Sequence, residues 1–188
     1  MECQREGDYM EAVRKQVYTV DDIYALPDGK RAELIDGNLY MMAPPNTKHQ
    51  LIMNDINIAI YNYIKSKGGK CKVIPAPFAV FLENADGNTN YVEPDISVIC
   101  DPDKLNDKGC NGAPDWIIEI VSPSSRKMDY ITKTNLYMNA GVKEYWIVDP
   151  MREIVMVYKA SEDAVPVFSR FGEKIKVGIY DDLEIIVE

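Results

Sequence analysis

Two carboxylates in this sequence lie where apolar strands are expected. In the run DWIIEIV, residues 115–121, the two-residue period of a strand puts Glu119 on one face with Asp115 and Val121, and leaves the other face wholly apolar. A carboxylate buried without a partner is costly, so Glu119 must be paired, hydrogen-bonded, protonated or bound to a cation. The structural alternative is an edge-strand glutamate that reaches solvent or pairs with a lysine.

The second carboxylate, Asp95, follows Pro94 at the head of the strand-like run DISVIC and precedes Glu119 by 24 positions. The loop between the two runs allows them to be neighbouring strands. Carboxylates at the heads of adjacent strands could hold Mg²⁺ or Mn²⁺, which prefer hard oxygen ligands and retain water. For Asp95 alone, the alternative is a turn aspartate that bonds to local amides.

Composition limits the kind of protein that can carry these carboxylates. The chain has 188 residues, which suits one globular domain, and a formal net charge of -9. This acidity argues against a protein that coats nucleic acid through a basic surface, so a phosphate-bearing substrate needs a local positive patch or a metal ion. No apolar run approaches the roughly 20 residues that span a bilayer, and the N-terminus lacks a signal-peptide core. We expect a cytoplasmic protein with no membrane partner.

The cysteines indicate neither a zinc site nor a disulfide framework. The chain has four of them and a single histidine, without CxxC pairing or zinc-ligand spacing. We expect reduced and mostly buried thiols at Cys3, Cys71, Cys100 and Cys110.

The elements around the carboxylates predict an α/β (α+β) fold. Residues 1–17 are predicted to be an N-terminal arm, and residues 18–188 a single domain. Asp36-Gly37 between two short apolar segments predicts an N-terminal hairpin. Apolar residues at helical spacing predict a helix over residues 46–67, and serines after Pro123 predict a second helix that ends near Ala140. The remaining apolar runs predict strands: CKVI, FAVFL, DISVIC, DWIIEIV, VKEYWIVD and a closing antiparallel meander of IVMVYKA, VPVFS, KIKVG and LEIIV.

These segments, in this order, resemble a known family. An aspartate after a proline at the head of one strand, followed by a glutamate in the next, is the general pattern of the PD-(D/E)XK nuclease superfamily. More specifically, the chain is similar to the Uma2 family, once catalogued as DUF820, over roughly residues 18–160. The resemblance implies a restriction-endonuclease-like core in which helices flank a mixed central β-sheet. The matching segments are ELIDGNLYMMAPPNTKHQ, EPDISVI, PDWIIEIVSPSS, the spaced Asp129, Lys133 and Tyr137, and GVKEYWIVD.

One departure from the superfamily pattern concerns the catalytic lysine. Where the motif has lysine two residues after the glutamate, this chain has Val121. In the Uma2-like group a lysine of the following helix is thought to replace it, so the resemblance implies Lys133 in that role. Asp129, Lys133 and Tyr137 fall at i, i+4 and i+8 on one helix face, which supports a shared site. The alternatives are an ordinary surface pair between Asp129 and Lys133, or Lys127 as the donor.

Two more residues match the family and are possible supporting members of the site. His49, the single histidine, could touch substrate or a metal-bound water, although a lone histidine is more often structural. Glu33, in the predicted hairpin, could approach the metal as an outer acid, and a hairpin salt bridge is its alternative. Ser122 and Ser124 lack a plausible histidine partner, which disfavours a serine hydrolase.

The resemblance implies metal-dependent hydrolysis of phosphodiester bonds, with DNA favoured over RNA. Asp95, Glu119 and the Ile120 backbone carbonyl are the expected ligands of Mg²⁺ or Mn²⁺, and Lys133 the expected third catalytic residue. A homodimer is the default assembly. The main alternative is a non-catalytic binding or assembly protein that keeps the nuclease fold. A weaker alternative is a carboxylate pair acting on a glycosidic bond.

Overall fold

The computed structural model describes residues 16–84, 87–160 and 165–188 of the chain. Most of the predicted arm, residues 1–15, lies outside these ranges, and the single domain over residues 18–188 stays a prediction. Within the described ranges, no helix is both long and apolar enough to cross a membrane.

Fourteen strands, three α-helices, a 3₁₀ turn and a π-helix follow one another along the described ranges. The helices are α1 Val20–Tyr24, α2 Thr47–Ser66 and α3 Thr134–Ala140, with the 3₁₀ turn at Pro102–Lys104 and the π-helix at Met128–Lys133. The strands of the first half are β1 Ala32–Ile35, β2 Asn38–Met41, β3 Lys72–Pro75, β4 Val80–Glu83, β5 Thr89–Val92, β6 Ile96–Ile99, β7 Leu105–Asn106 and β8 Gly109–Asn111. The others are β9 Trp116–Ile120, β10 Glu144–Asp149, β11 Ile154–Lys159, β12 Val167–Arg170, β13 Lys174–Lys176 and β14 Glu184–Ile186.

The central sheet is mixed, as predicted, with strand order β12-β11-β10-β9-β6-β3. Its two middle strands, β9 and β10, are parallel, and every other neighbouring pair in this sheet is antiparallel. A second sheet has the order β2-β1-β5-β4-β8-β7, and β13 pairs with β14 separately. The closing strands are therefore antiparallel as expected, although only β11 and β12 extend the central sheet.

Helix α2 covers one face of the central sheet. Asn46 caps it by accepting a hydrogen bond from the backbone N–H of His49 at 2.9 Å. The buried side of the helix is a stripe of isoleucines at helical spacing, which packs on Trp116, Trp146 and neighbouring strand residues. The stripe consists of Ile52, Ile56, Ile60 and Ile64.

The opposite face of the sheet is covered by α3 and by the second sheet. Ile117 and Val121 of the β9 segment pack there with Tyr137 and Tyr145. Glu119 lies on the same face as Ile117 and Val121, so the two-residue strand period predicted correctly which side chains of this segment share a face. This face lies towards the hairpin of β1 and β2, whose turn has positive φ angles at Asp36 and Gly37, as the Asp-Gly pair predicts.

One local expectation was confirmed and one was wrong. The helix predicted after Pro123 is present and ends at Ala140, although its residues Met128–Lys133 are π-helical; there the Thr134 hydroxyl donates to the carbonyls of Asp129 and Tyr130. The reduced thiols expected at Cys71 and Cys100 form a disulfide, since the register of β3 and β6 puts these residues opposite each other. Cys110 is free and buried, as expected.

Candidate active site

Asp95 and Glu119 face each other across two antiparallel strands. The register of β6 and β9 pairs Ile96 with Ile118, so the next positions, Asp95 and Glu119, are opposite. The backbone N–H of Ile120 donates to Asp95 Oδ2 at 2.7 Å, which fixes the aspartate against the end of β9. The strand neighbours predicted for these two carboxylates are therefore present.

Glu119 is buried and does not reach solvent as an edge-strand glutamate would. Glu119 is 4% exposed. Its Oε1 accepts hydrogen bonds from Lys133 Nζ at 2.9 Å and from the Tyr137 hydroxyl at 2.7 Å. A buried carboxylate needs hydrogen-bond or charge partners, and Glu119 has one charged and one neutral donor.

Lys133 contacts three of the other residues singled out in the sequence. Its ammonium lies 2.9 Å from both Glu33 Oε1 and Glu119 Oε1, and 3.8 Å from Asp129 Oδ1. The lysine is only 5% exposed, so it is not an ordinary surface partner of Asp129. Glu33 also accepts the backbone N–H of Glu93 at 3.0 Å, which holds β1 beside the start of β6.

His49 lies on the other side of Asp95. The first turn of α2 brings its Nε2 to 3.1 Å from Asp95 Oδ2. Burial lowers the pKa of His49, but the hydrogen bond and charge of Asp95 outweigh it and raise the pKa above the usual value. The histidine therefore fixes the orientation of Asp95.

The charges of the buried group are strongly interdependent. Burial raises the pKa of Glu119 well above its usual value against the opposing Lys133 charge, and Asp95, Asp129 and Glu33 raise it further. Burial likewise raises the pKa of Asp129 to about 6. Burial lowers the pKa of Lys133, but its acidic neighbours outweigh that and raise the pKa well above its ordinary value. Lys133 is thus a charged ammonium at neutral pH, in surroundings that favour cations.

Comparison with known proteins identifies the family of this chain. The model of the Uma2 family, described as "Putative restriction endonuclease", matches residues 20–178. The chain belongs to the Uma2 family. An uncharacterized protein from a Synechocystis strain is 26% identical to this Uma2 chain over 135 residues, which cover 71% of the chain and 68% of the relative.

A solved structure shares the fold of this Uma2 chain. The crystal structure of a "putative nuclease belonging to DUF820" from Anabaena variabilis has a TM-score of 0.66 at 22% identity, and the match covers 86% of this chain and 89% of that one. At this identity the likeness shows the fold, which is the nuclease-like α+β fold predicted from the sequence.

The carboxylate pair of this Uma2 protein has donors that suit a hard divalent ion. Among the described residues, no hydrogen bond reaches Asp95 Oδ1 or Glu119 Oε2, whereas the other oxygen of each is bonded. No three His, Cys, Asp or Glu side chains converge as a metal-binding group in the part of the chain that the structure describes. Because Mg²⁺ often binds through one or two carboxylates, with water and substrate phosphate completing its shell, the pair fits such an ion.

A further polar cluster was missed in the sequence. Asp149 is fully buried at the end of β10, where it accepts the Tyr130 hydroxyl at 2.8 Å and lies near Arg126 and Arg152. An aspartate directly after the apolar run YWIV was the available signal, and the same reasoning that singled out Glu119 applies to it.

Proposed function

We propose that this protein is a metal-dependent endonuclease that hydrolyses phosphodiester bonds of nucleic acid, with DNA as the preferred substrate. The observation that supports this most is the position of Lys133, whose ammonium contacts Glu119 although no lysine follows two residues after that glutamate. A helix thus supplies a cation beside a carboxylate that faces Asp95, which is the donor set that phosphoryl transfer needs.

Asp95, Glu119 and the Ile120 carbonyl would hold Mg²⁺ or Mn²⁺. When bound, such an ion polarises the phosphate and lowers the pKa of a water molecule. Lys133 stabilises the negative charge that develops on the phosphate oxygens and orients the attacking water. The Tyr137 hydroxyl, through its 2.7 Å bond to Glu119, keeps that carboxylate in place.

The remaining members of the site act as positioning residues in this proposal. Glu33 and Asp129 hold the Lys133 ammonium from two further directions. His49 fixes Asp95. A bound divalent ion would also reduce the repulsion between a polyanionic substrate and a chain of net charge -9. A homodimer stays a prediction, which sedimentation of the purified protein would test.

The decisive experiment compares DNA cleavage by the wild type, Glu119→Ala and Glu184→Ala with and without Mg²⁺. Glu184 of β14 is exposed and pairs with Lys174 of β13, so its loss removes an equal charge from the separate β13–β14 sheet. We expect cleavage by the wild type and Glu184→Ala only with Mg²⁺, and none by Glu119→Ala. Wild-type cleavage by Glu119→Ala would overturn the proposed function.

A non-catalytic binding protein is the second candidate, and burial of the site favours it. Glu119 and Lys133 are 4% and 5% exposed, and the ammonium already pairs with Glu33 and Glu119. Calorimetric titration with Mn²⁺ separates the two functions. Binding that Glu119→Ala abolishes supports the nuclease, and no binding at millimolar Mn²⁺ supports the second candidate.

A further inference from the structure

Three basic side chains converge at the carboxyl ends of β9 and β10, and we call them the basic rim: Lys48, Arg126 and Arg152. Arg126 follows the end of β9 and reaches Asp149 Oδ2 with its guanidinium at 3.4 Å. Arg152 follows β10, and its Nε lies 4.0 Å from the same oxygen. Lys48, from the first turn of α2, donates to the Pro150 carbonyl at 3.2 Å. Three separate elements thus bring their cations to one turn.

The single buried acid beneath the rim does not use up these cations. Asp149 already accepts the Tyr130 hydroxyl at 2.8 Å and the backbone N–H groups of Met151 and Arg152 at 2.9 and 3.2 Å. The guanidinium contacts of Arg126 and Arg152 are longer than these bonds. A carboxylate satisfied by fixed neutral donors needs little from the arginines, so it anchors them without neutralising both.

The arginines of the rim keep free donors and face solvent. Their side chains are 43% and 54% exposed for Arg126 and Arg152. Among the described residues, the buried Nε of Arg126 has no hydrogen-bond partner. A guanidinium carries five N–H donors in a planar fork that matches phosphate oxygens in pairs. The Arg152 guanidinium also lies 5.9 Å from the ring centre of Tyr130, which restricts its position.

The basic rim adjoins the candidate active site. Lys48 is next in sequence to His49, whose imidazole contacts Asp95. The backbone N–H of Ile120, at the end of β9, donates to Asp95. Arg126 comes directly after the serine-rich turn that follows Ile120. The N-terminal end of α2, a helix of 20 residues, contributes partial positive charge in the same place. The rim and the carboxylate pair therefore lie at the same end of the central sheet.

The charge of the rim is opposite to that of the whole chain. Within the described ranges, Arg126 and Arg152 form ion pairs with Asp149 alone, Lys48 forms an ion pair with no acid, and Glu153 is an exposed neighbour in the turn. A chain of net charge -9 that gathers three cations beside a candidate nuclease site has the local positive patch that a polyanionic substrate requires.

From these observations we infer that Lys48, Arg126 and Arg152 bind the sugar-phosphate backbone of nucleic acid on the flank of the cleavage site. This inference rests on the proposed function and deepens it. The rim contacts phosphates and therefore adds affinity and orientation without reading sequence. Each phosphate contact releases counterions, so binding through the rim depends on salt.

The test measures binding apart from cleavage. Fluorescence anisotropy of a fluorescein-labelled DNA duplex is followed in EDTA over a series of salt concentrations, for the wild type and for Arg126→Gln/Arg152→Gln. The matched control is Lys65→Gln/Lys67→Gln, which removes the same charge at the other end of α2, about 25 Å along the helix axis. We expect the rim variant to bind several-fold more weakly and its slope of log affinity against log salt to fall by roughly two. The control should keep the wild-type slope.

Two further measurements keep the result interpretable. Arg126→Lys/Arg152→Lys keeps the charges, so it should recover most of the salt slope, and thermal unfolding should show that all variants fold. Equal affinity and slope in the wild type and the rim variant would overturn the inference, as would absence of DNA binding by the wild type. Mg²⁺-dependent cleavage by the wild type is scored separately, so the proposed function can stand when the inference about the rim fails.

Discussion

Glu119 and Glu144 are buried glutamates on adjacent parallel strands, yet different kinds of donor satisfy them. Glu144 accepts the indole N–H of Trp146 at 2.7 Å and the backbone N–H groups of Gly178 and Ile179 at 2.6 and 2.9 Å. Glu119 accepts an ammonium and a phenol hydroxyl. The first arrangement fastens the C-terminal segment to the sheet, whereas in the second both donors are side chains of the helical segment after Pro123.

The charges around the two glutamates also differ. Burial raises the pKa of both, and nearby donors oppose that rise at Glu144 as Lys133 does at Glu119. Only at Glu119 do other acids, Asp95, Asp129 and Glu33, raise the pKa further. Gly178 shows how tightly the Glu144 contact is built, because a Cβ there would come within 2.8 Å of Glu144 Oε2. A buried acid that accepts backbone N–H groups is typical of a structural role, whereas a buried acid surrounded by other acids is typical of a functional site.

The largest expected effect is that of Lys133→Ala. It leaves Glu33, Glu119 and Asp129 buried without their shared cation, which should lower the free energy of unfolding by about 3–5 kcal/mol at neutral pH. Cleavage by the folded protein should fall roughly 100- to 1000-fold, since the loss of one charge-stabilising donor has that effect in other enzymes. Urea unfolding and a cleavage assay measure the two quantities.

Lys143→Ala is the matched control for that change. Its ammonium also contacts a carboxylate, Asp115 Oδ1, at 2.6 Å, but the side chain is 68% exposed. An exposed pair of this kind contributes at most about 1 kcal/mol. If both variants lose equal stability, the claim that the Lys133 cluster is energetically distinct fails.

A smaller effect, on stability alone, is expected for Glu144→Ala. The indole and two backbone N–H groups lose their acceptor, which should lower the free energy of unfolding by about 3 kcal/mol. Cleavage per folded molecule should stay at the wild-type level, because Glu144 faces the α2 side of the sheet with Trp146. A folded Glu144→Ala protein without cleavage activity would contradict the division between a structural and a functional glutamate.

Much of the fold could be predicted because its signals are local. The Asp36-Gly37 hairpin, the apolar period of the helix over residues 46–67 and the strand period around Glu119 each depend on neighbours within a few residues. The disulfide between Cys71 and Cys100 could not be predicted in this way, because the two cysteines are 29 positions apart and meet only through the register of β3 and β6.

In the candidate site, too, local contacts could be predicted from the sequence and long-range contacts could not. The i, i+4 spacing predicted that Asp129 and Lys133 are neighbours, and they are 3.8 Å apart although the helix there is π-type. The contact of Lys133 with Glu33 joins residues 100 positions apart and required the three-dimensional structure. The basic rim was missed for that reason, since Lys48, Arg126 and Arg152 come from three distant segments.

Asp149 is a third buried acid, and both backbone N–H groups and arginines surround it. The smallest predicted effect is the pH dependence of its contribution to stability. Burial raises its pKa, but the Tyr130 hydroxyl, the backbone N–H groups and Arg126 outweigh burial and lower the pKa below its usual 3.8. The unfolded chain then binds the proton more readily than the folded protein, so Asp149 stabilises the fold above pH 3.8 and this stabilisation is lost as the pH falls through the lowered folded value.

Glu144 should have the opposite pH dependence. Its folded pKa is raised above the usual 4.5, so the folded protein takes up the proton first and gains stability as the pH falls through that raised value. In urea unfolding between about pH 7 and pH 3, the advantage of the wild type over Asp149→Asn should shrink by about 1 kcal/mol, whereas its advantage over Glu144→Gln should grow. Profiles that change in the same direction would show that the donors around Asp149 do not favour its charged form, and Asp149 would then belong with Glu144 as a structural acid.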